Sequence, residues 1–202
     1  MADRVRGPIT WSTHSILSQS YVCGYCGHPL AADRGWPGAM PGEAHAAFIV
    51  ICHYCTCPTF IDPDKQQYPR SLFGAAVSDV PDNSVAAMYD EARRSFGAAS
   101  FTAAVLCCRK LLMHIAVSKG AAKNLRFVDY VKYLAANHYV PPDAKGWVDH
   151  IRKRSNEANH EIVLMDETDA KELIEFSEML LKVIYEFPAV AERRIKPPKA
   201  TS

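Results

Sequence analysis

The feature that most limits what this chain can fold into is a doubled one. Cys23-Gly24-Tyr25-Cys26 and Cys52-His53-Tyr54-Cys55 each set two thiols three positions apart, with 25 residues between the pairs. Two residues between thiolates let one tight turn aim both sulfurs at a single ion, and two such turns complete a tetrahedral shell. Gly24 and Gly27 relieve backbone crowding at the first turn. The pattern predicts one structural zinc ion held by Cys23, Cys26, Cys52 and Cys55. That ion would stabilise a module too small to fold on its own core. Four thiolates close the shell and leave no position open for catalysis. A redox Cys-x-x-Cys rarely comes twice. Iron is an alternative ion, since it also accepts four thiolates. Cys57, His28 and His53 are neighbouring substitutes as ligands, and Cys57 could replace Cys55.

The remaining composition bounds the setting. Seven cysteines without a secretion signal fit metal or free thiols better than disulfides. The N-terminus lacks an apolar signal core. No apolar run reads as long enough to span a membrane, so a cytoplasmic protein without membrane partners is expected. Lys and Arg total 23 against 22 Asp and Glu, so any basic surface must be local. Composition changes near residues 62–82, from Gly, Pro, His and Cys to Ala-rich helical stretches. The expected organisation is a small β-rich, zinc-ribbon-like module over 1–62, a Pro-punctuated connector over 63–81, a helical bundle over 82–190 and a flexible basic tail over 191–202. No internal repeat is found. The fold class expected is mainly α, an antiparallel bundle of about five helices behind that small module.

Apolar spacing outlines the helices. The first begins after Pro81, capped by Asp82, Asn83 or Ser84, and breaks at Gly97. The second carries Phe101, Val105, Cys108, Leu111, Leu112 and Ile115 on one face and stops at Lys119-Gly120. The third, near Arg126 to Ala136, shows Phe127, Tyr130, Val131 and Leu134. A fourth follows Pro141-Pro142 with Trp147, Ile151, Ala158 and Ile162. The fifth starts near Thr168 as its cap and carries Leu173, Phe176, Leu180, Ile184 and Phe187. Cys107 and Cys108 are adjacent on a helix and cannot share an ion, and Cys108 reads as a small core hydrophobe.

The fourth helix contains Arg152 to Glu161, "RKRSNEANHE". At about 100° per residue, Arg152, Asn156 and His160 form one stripe at the core border. A histidine there acts as acid or base near neutral pH. An arginine holds phosphate through paired hydrogen bonds, and an asparagine fixes the imidazole tautomer. The bland alternative is a histidine bonded to a partner helix amid surface Arg–Glu pairs.

Here the residues carry a resemblance. "MYDEARRSFGAASFTAAVLCCRKLL", "WVDHIRKRSNEANHE" and "TDAKELIEFSEMLLKVIYEFP" resemble, in order and spacing, motifs of the 4145 family of domains of unknown function. The resemblance covers about residues 81–188 plus the cysteine module, since members often carry an N-terminal pair of Cys-x-x-Cys knuckles. That family is similar in turn to the HEPN superfamily of helical bundles, many of them dimeric, metal-independent ribonucleases of defence systems. Their Arg–His signature is matched by Arg154 and His160, although Ser155 stands where the commonest active form has arginine before the polar residue, here Asn156. The resemblance implies three readings. The first is a weakly active or non-catalytic module that binds RNA, other nucleic acid or a protein partner in bacterial or phage defence. The second is an endoribonuclease in which a ribose 2′-hydroxyl attacks the adjacent phosphate, with His160 as acid or base and Arg154 or Arg152 stabilising the phosphate charge. The third is an adaptor whose zinc module makes protein contacts. A homodimer is expected. Arg93, Arg94, Arg109, Lys110, Lys123, Arg126, Lys132 and residues 152–154 are the candidates for a basic face, and Glu91 for a partner of Arg109 or Arg152.

Overall fold

The computed structural model describes residues 9–141, 146–148, 151 and 164–195. The chain divides after Leu72 into two compact units.

The first unit overturns the mainly α expectation. Strands β1 (His14–Val22), β2 (Pro29–Met40), β3 (Glu43–Ile51), β4 (Pro58–Ile61) and β5 (Gln67–Tyr68) form one antiparallel meander in that order. The stretch 29–40 had the glycines and prolines of a loop. It is instead the longest strand, 12 residues. Gly35 pairs with Val50, and a Cβ at Gly35 would strike the Ile49 carbonyl, so the missing side chain lets the two strands close. Gly42 makes the hairpin turn at a φ of +86°. Alternation then sorts the faces. Phe48, Val50, Thr59 and Ile61 point inward, joining Tyr21 and Ala32 in the core. Trp36, Ile49, Phe60 and Tyr68 are register partners across four strands and share the outward face. Ile49, Phe60 and Tyr68 are 42%, 43% and 49% exposed. Trp11 meets Trp36 edge-on at 5.9 Å, and the Phe60 and Tyr68 rings stack at 6.2 Å.

The second unit holds α1 (Asn83–Gly97), α2 (Phe101–Ser118), α3 (Phe127–Ala136) and α4 (Glu167–Leu181). A π-helical turn (Lys182–Glu186) continues α4 into α5 (Phe187–Ile195), so the expected tail is helical as far as Ile195. Residues 146–148 and Ile151 are also helical. The central helix is α2, which touches α1, α3 and α4. Its 18 residues reach a mean hydropathy of 1.5, which is long and apolar enough to cross a membrane, contrary to the sequence reading. In this fold Val105, Cys108, Leu111, Leu112 and Ile115 are buried among the neighbouring helices. Burial pushes the Cys108 thiol up to about 12, as befits a core residue. Trp147 stands edge-on to Phe176 at 5.2 Å, and Ile151 is buried beside it in the same core.

The helix ends follow local chemistry. Asp82 caps α1 by accepting the Ser84 N–H, and Gly120, at a φ of +103°, lies just past the end of α2. The cap of α4 is Asp166, not Thr168: Asp166 and Asp169 form a reciprocal capping box. Phe187, expected inside, is 56% exposed. The π turn inserts an extra residue, which rotates every later position out of the α-helical phase.

Segment 73–75 is clamped to the helices. Arg93 is buried, and its guanidinium donates to the carbonyls of Phe73 and Gly74 while pairing with Asp90 at 3.2 Å. The Ala75 N–H donates to Glu178 at 2.7 Å, and the Tyr89 hydroxyl donates to the Ala75 carbonyl at 3.0 Å. Burial works to raise the Glu178 carboxyl, but Lys182 and the Ala75 N–H outweigh it and hold it below its usual value. Its contribution to stability is therefore present above the unfolded carboxylate range and fades as pH falls through the depressed value. Gly74 has a φ of +76°, and a Cβ there would lie 2.7 Å from Ile174 and 2.8 Å from the Tyr89 hydroxyl. Gly74→Ala is expected to cost about 2 kcal/mol or more from strain and overlap together. Gly146→Ala, where a Cβ meets nothing among the described residues, should be neutral to stabilising by up to about 1 kcal/mol. Urea unfolding midpoints of the two variants check both values.

Candidate metal centre

The meander explains how two distant cysteine pairs meet. Its first and third turns lie at the same end of the sheet, and these are the β1–β2 and β3–β4 connections that carry the cysteines. The residues between the pairs are the β2–β3 hairpin, which runs out and returns. Each turn is built alike. The Cys23 N–H donates to the His28 carbonyl at 3.0 Å, and Gly27 N–H to the Cys23 carbonyl at 2.8 Å. In the second turn Cys52 N–H donates to the Cys57 carbonyl at 3.0 Å, and Thr56 N–H to the Cys52 carbonyl at 2.8 Å. The likeness extends to sequence. Cys-x-Tyr-Cys-x-x-Pro occurs at 23–29 and again at 52–58, a short repeat the sequence reading missed.

The two turns differ where the surroundings differ. Gly27 and Thr56 occupy the same place, with φ of +75° and +57°. A glycine adopts this left-handed conformation freely, whereas a β-branched residue is strained in it. Trp11 bonds across the strained turn, its Nε1–H donating to the Thr56 carbonyl at 2.8 Å. Gly24 is matched by His53. A Cβ at Gly24 would lie 2.7 Å from the Pro69 carbonyl, so the glycine allows the chain after β5 to press against the first turn.

The sulfurs converge. Cys23 and Cys55 Sγ are 3.6 Å apart, Cys26 and Cys52 Sγ 3.7 Å, and all four lie within 4.8 Å of one another. A tetrahedral ion with metal–sulfur bonds of about 2.3 Å needs sulfurs about 3.8 Å apart. The donor set therefore fits a four-thiolate ion. Cys23 and Cys52 are fully buried, Cys26 and Cys55 half-buried. Backbone amides already face the sulfurs, with Tyr25 N–H 3.4 Å from Cys23 Sγ. Burial pushes the Cys23 thiol well above the usual range against the bonds from Tyr25 and Cys26, and burial likewise raises Cys26. Burial also works to raise Cys55, but the Cys57 amide and the three other thiols outweigh it and bring Cys55 to about 7.

The substitute ligands fall outside this cluster. Among the described residues the group that could hold an ion is Cys23, Cys26, Cys52 and Cys55. His28 instead stacks on Tyr54 at 4.3 Å, and His53 lies against the same ring at 4.5 Å. Tyr25 and Tyr54 are exposed, whereas Tyr21 is buried beneath the cysteines. Arg152, Arg154, Asn156 and His160, and with them Ala158 and Ile162 of the expected fourth helix, lie outside the described residues. Four of the cations expected on a basic face have partners within the second unit. Arg93 is the buried clamp, Arg109 lies over the Phe127 ring at 4.7 Å, and Arg126 and Lys132 both pair with Asp129. Glu91 faces the Cys107 thiol, which burial and this carboxylate together raise.

A family model described as "Domain of unknown function (DUF4145)" matches residues 90–197, more than half of the chain. The chain belongs to this family. The DUF4145 match starts within α1 and takes in α2 to α5, so it does not reach the cysteine-bearing sheet that the sequence resemblance had included. No curated protein and no solved structure matches the chain.

Metal analysis is expected to return about one ion per chain. Cys23→Ser and Cys55→Ser should each abolish tight binding, while Cys57→Ser retains it. Because thiols lose protons to bind, affinity should fall as pH is lowered. Chelator competition at two pH values measures this.

Proposed function

We propose that the first unit is a zinc-stabilised, non-catalytic contact module joined to the DUF4145 helices, and that its partner is protein. The convergence of the four sulfurs carries the reading. They supply a closed, tetrahedral, all-sulfur shell, which suits zinc in a structural role and leaves no position for substrate. Zinc bound there would tie the two turns together at one end of the sheet. Iron is the alternative ion, and its coloured tetrathiolate complex would separate the two at once.

The contact face is the outward row of Trp36, Ile49, Phe60 and Tyr68. Four large apolar side chains in register across four strands form a flat patch of the kind that marks interaction sites. Aromatic rows of this sort stack on unpaired bases or on protein side chains. The charge decides between them. Across residues 1–72, Arg4, Arg6, Arg34, Lys65 and Arg70 are balanced by Asp3, Asp33, Glu43, Asp62 and Asp64, so the unit offers a polyanion no net attractive charge. In the second unit Arg93 is buried and bonded to backbone carbonyls. Protein is the partner this surface favours, and a second copy of the chain is the simplest case, since an apolar row can meet itself across a two-fold axis. The residues of the ribonuclease reading, Arg154 and His160, lie outside the described residues.

Sedimentation of the wild type should show self-association that Phe60→Ala with Tyr68→Ala removes while metal content stays unchanged. A monomeric wild type would overturn the self-contact. Salt-sensitive binding of a single-stranded RNA oligonucleotide at about 1 μM or tighter would overturn the protein reading in favour of nucleic acid.

A further inference from the structure

Two buried hydroxyls lie under the cysteine cluster with nothing to bond. Tyr21 is 9% exposed and Thr59 0%. Tyr21 Oη and Thr59 Oγ1 have no hydrogen-bond partner among the described residues. A buried hydroxyl without a partner is destabilising and is rare in folded proteins. Here both sit where the strand register brings them to the metal centre. Tyr21 precedes Cys23 by two residues on β1, so the two side chains share a face. Thr59 on β4 is the register partner of Val50, which precedes Cys52 by two residues. Each hydroxyl is thus one pleat away from the first cysteine of a turn. Cys52, Cys23 and Cys55 all act electrostatically on the phenol, and Thr59 is near enough to influence it, although no bond of ordinary geometry joins the pair.

Neutral thiols are weak acceptors, which leaves the hydroxyls stranded. Thiolates on a divalent ion are strong ones, because the four-sulfur shell carries a net charge of about −2. We propose that Tyr21 is the outer-shell hydrogen-bond donor to the metal-bound cysteine sulfurs, with Thr59 in turn donating to the phenol oxygen. This rests on the four-thiolate reading above. The phenol keeps its own proton, since a tyrosine is protonated at neutral pH; the protons released on metal binding are those of the cysteines. Tyr21 is a positioning residue, acting through the sulfurs and holding no ion itself.

The test uses Co(II) as the probe ion in the full chain, with Tyr21→Phe and Thr59→Val. Competition against a chelator gives affinity, and the sulfur-to-cobalt charge-transfer band reports on the thiolates. Tyr21→Phe is expected to weaken binding about 10- to 100-fold, the usual cost of losing an outer-shell partner. Its charge-transfer band should move to lower energy, because a thiolate freed of a hydrogen bond gives up an electron more readily. Thr59→Val should act in the same direction on affinity and band, more weakly, and decides the matter if Tyr21→Phe does not fold. Affinities within about twofold of wild type and an unmoved band in both variants would overturn the proposal. A wild type that gives no tetrathiolate cobalt spectrum would instead overturn the four-thiolate reading itself.

Discussion

Everything about the first unit depends on four sulfurs brought within 4.8 Å of one another. Without an ion they are crowded thiols, two of them fully buried, and burial holds Cys23 protonated. With an ion they become a single charged, closed body to which two turns are bonded. The sheet itself is modest. Its core is a short list of side chains, of which Cys23 and Cys52 are themselves members. A core of that size supplies little stability alone, so the centre is part of the fold and not an ornament on it.

The second unit is organised on a different principle. Its α2 is apolar enough to be a membrane span by composition, and it is consumed by three neighbouring helices. What would otherwise be loose chain, residues 73–75, is fixed by polar bonds: the Arg93 guanidinium, the Tyr89 hydroxyl and the Glu178 carboxylate all close on backbone groups. One unit gathers four thiols at one end of a small sheet, and the other packs helices and closes them with a polar latch. The matched family model covers the second kind alone.

What could be seen in advance follows the range of the forces involved. The cysteine pairs were legible because two residues of spacing and one element's coordination chemistry are local properties. Helices α1 to α3 were legible because their apolar periodicity is a local property, and the Asp82 cap and the Gly120 stop mark ends of α1 and α2. β2 was not, because Gly35, Pro37 and Gly38 argue for a loop until the opposing Ile49 carbonyl is known. Arg93 looked like surface charge, since nothing nearby in sequence says that Phe73 and Gly74 will need a donor. Phe187 kept the helical period and still faces outward, because one π turn breaks the phase. Tyr21 was legible only as an aromatic flanking the first cysteine pair and packing around it, and Thr59 gave no signal: their place beside the sulfurs comes from register.

The hairpin between the cysteine pairs changes the meaning of the spacing. Those 25 residues are set by how far two strands travel before turning back, not by the size of the ion. Lengthening both arms by one residue each would move the far tip outward and leave the sulfurs where they are. Related chains can therefore vary the distance between Cys26 and Cys52 in even steps at no cost to the centre, and a search keyed to one fixed interval would pass them by.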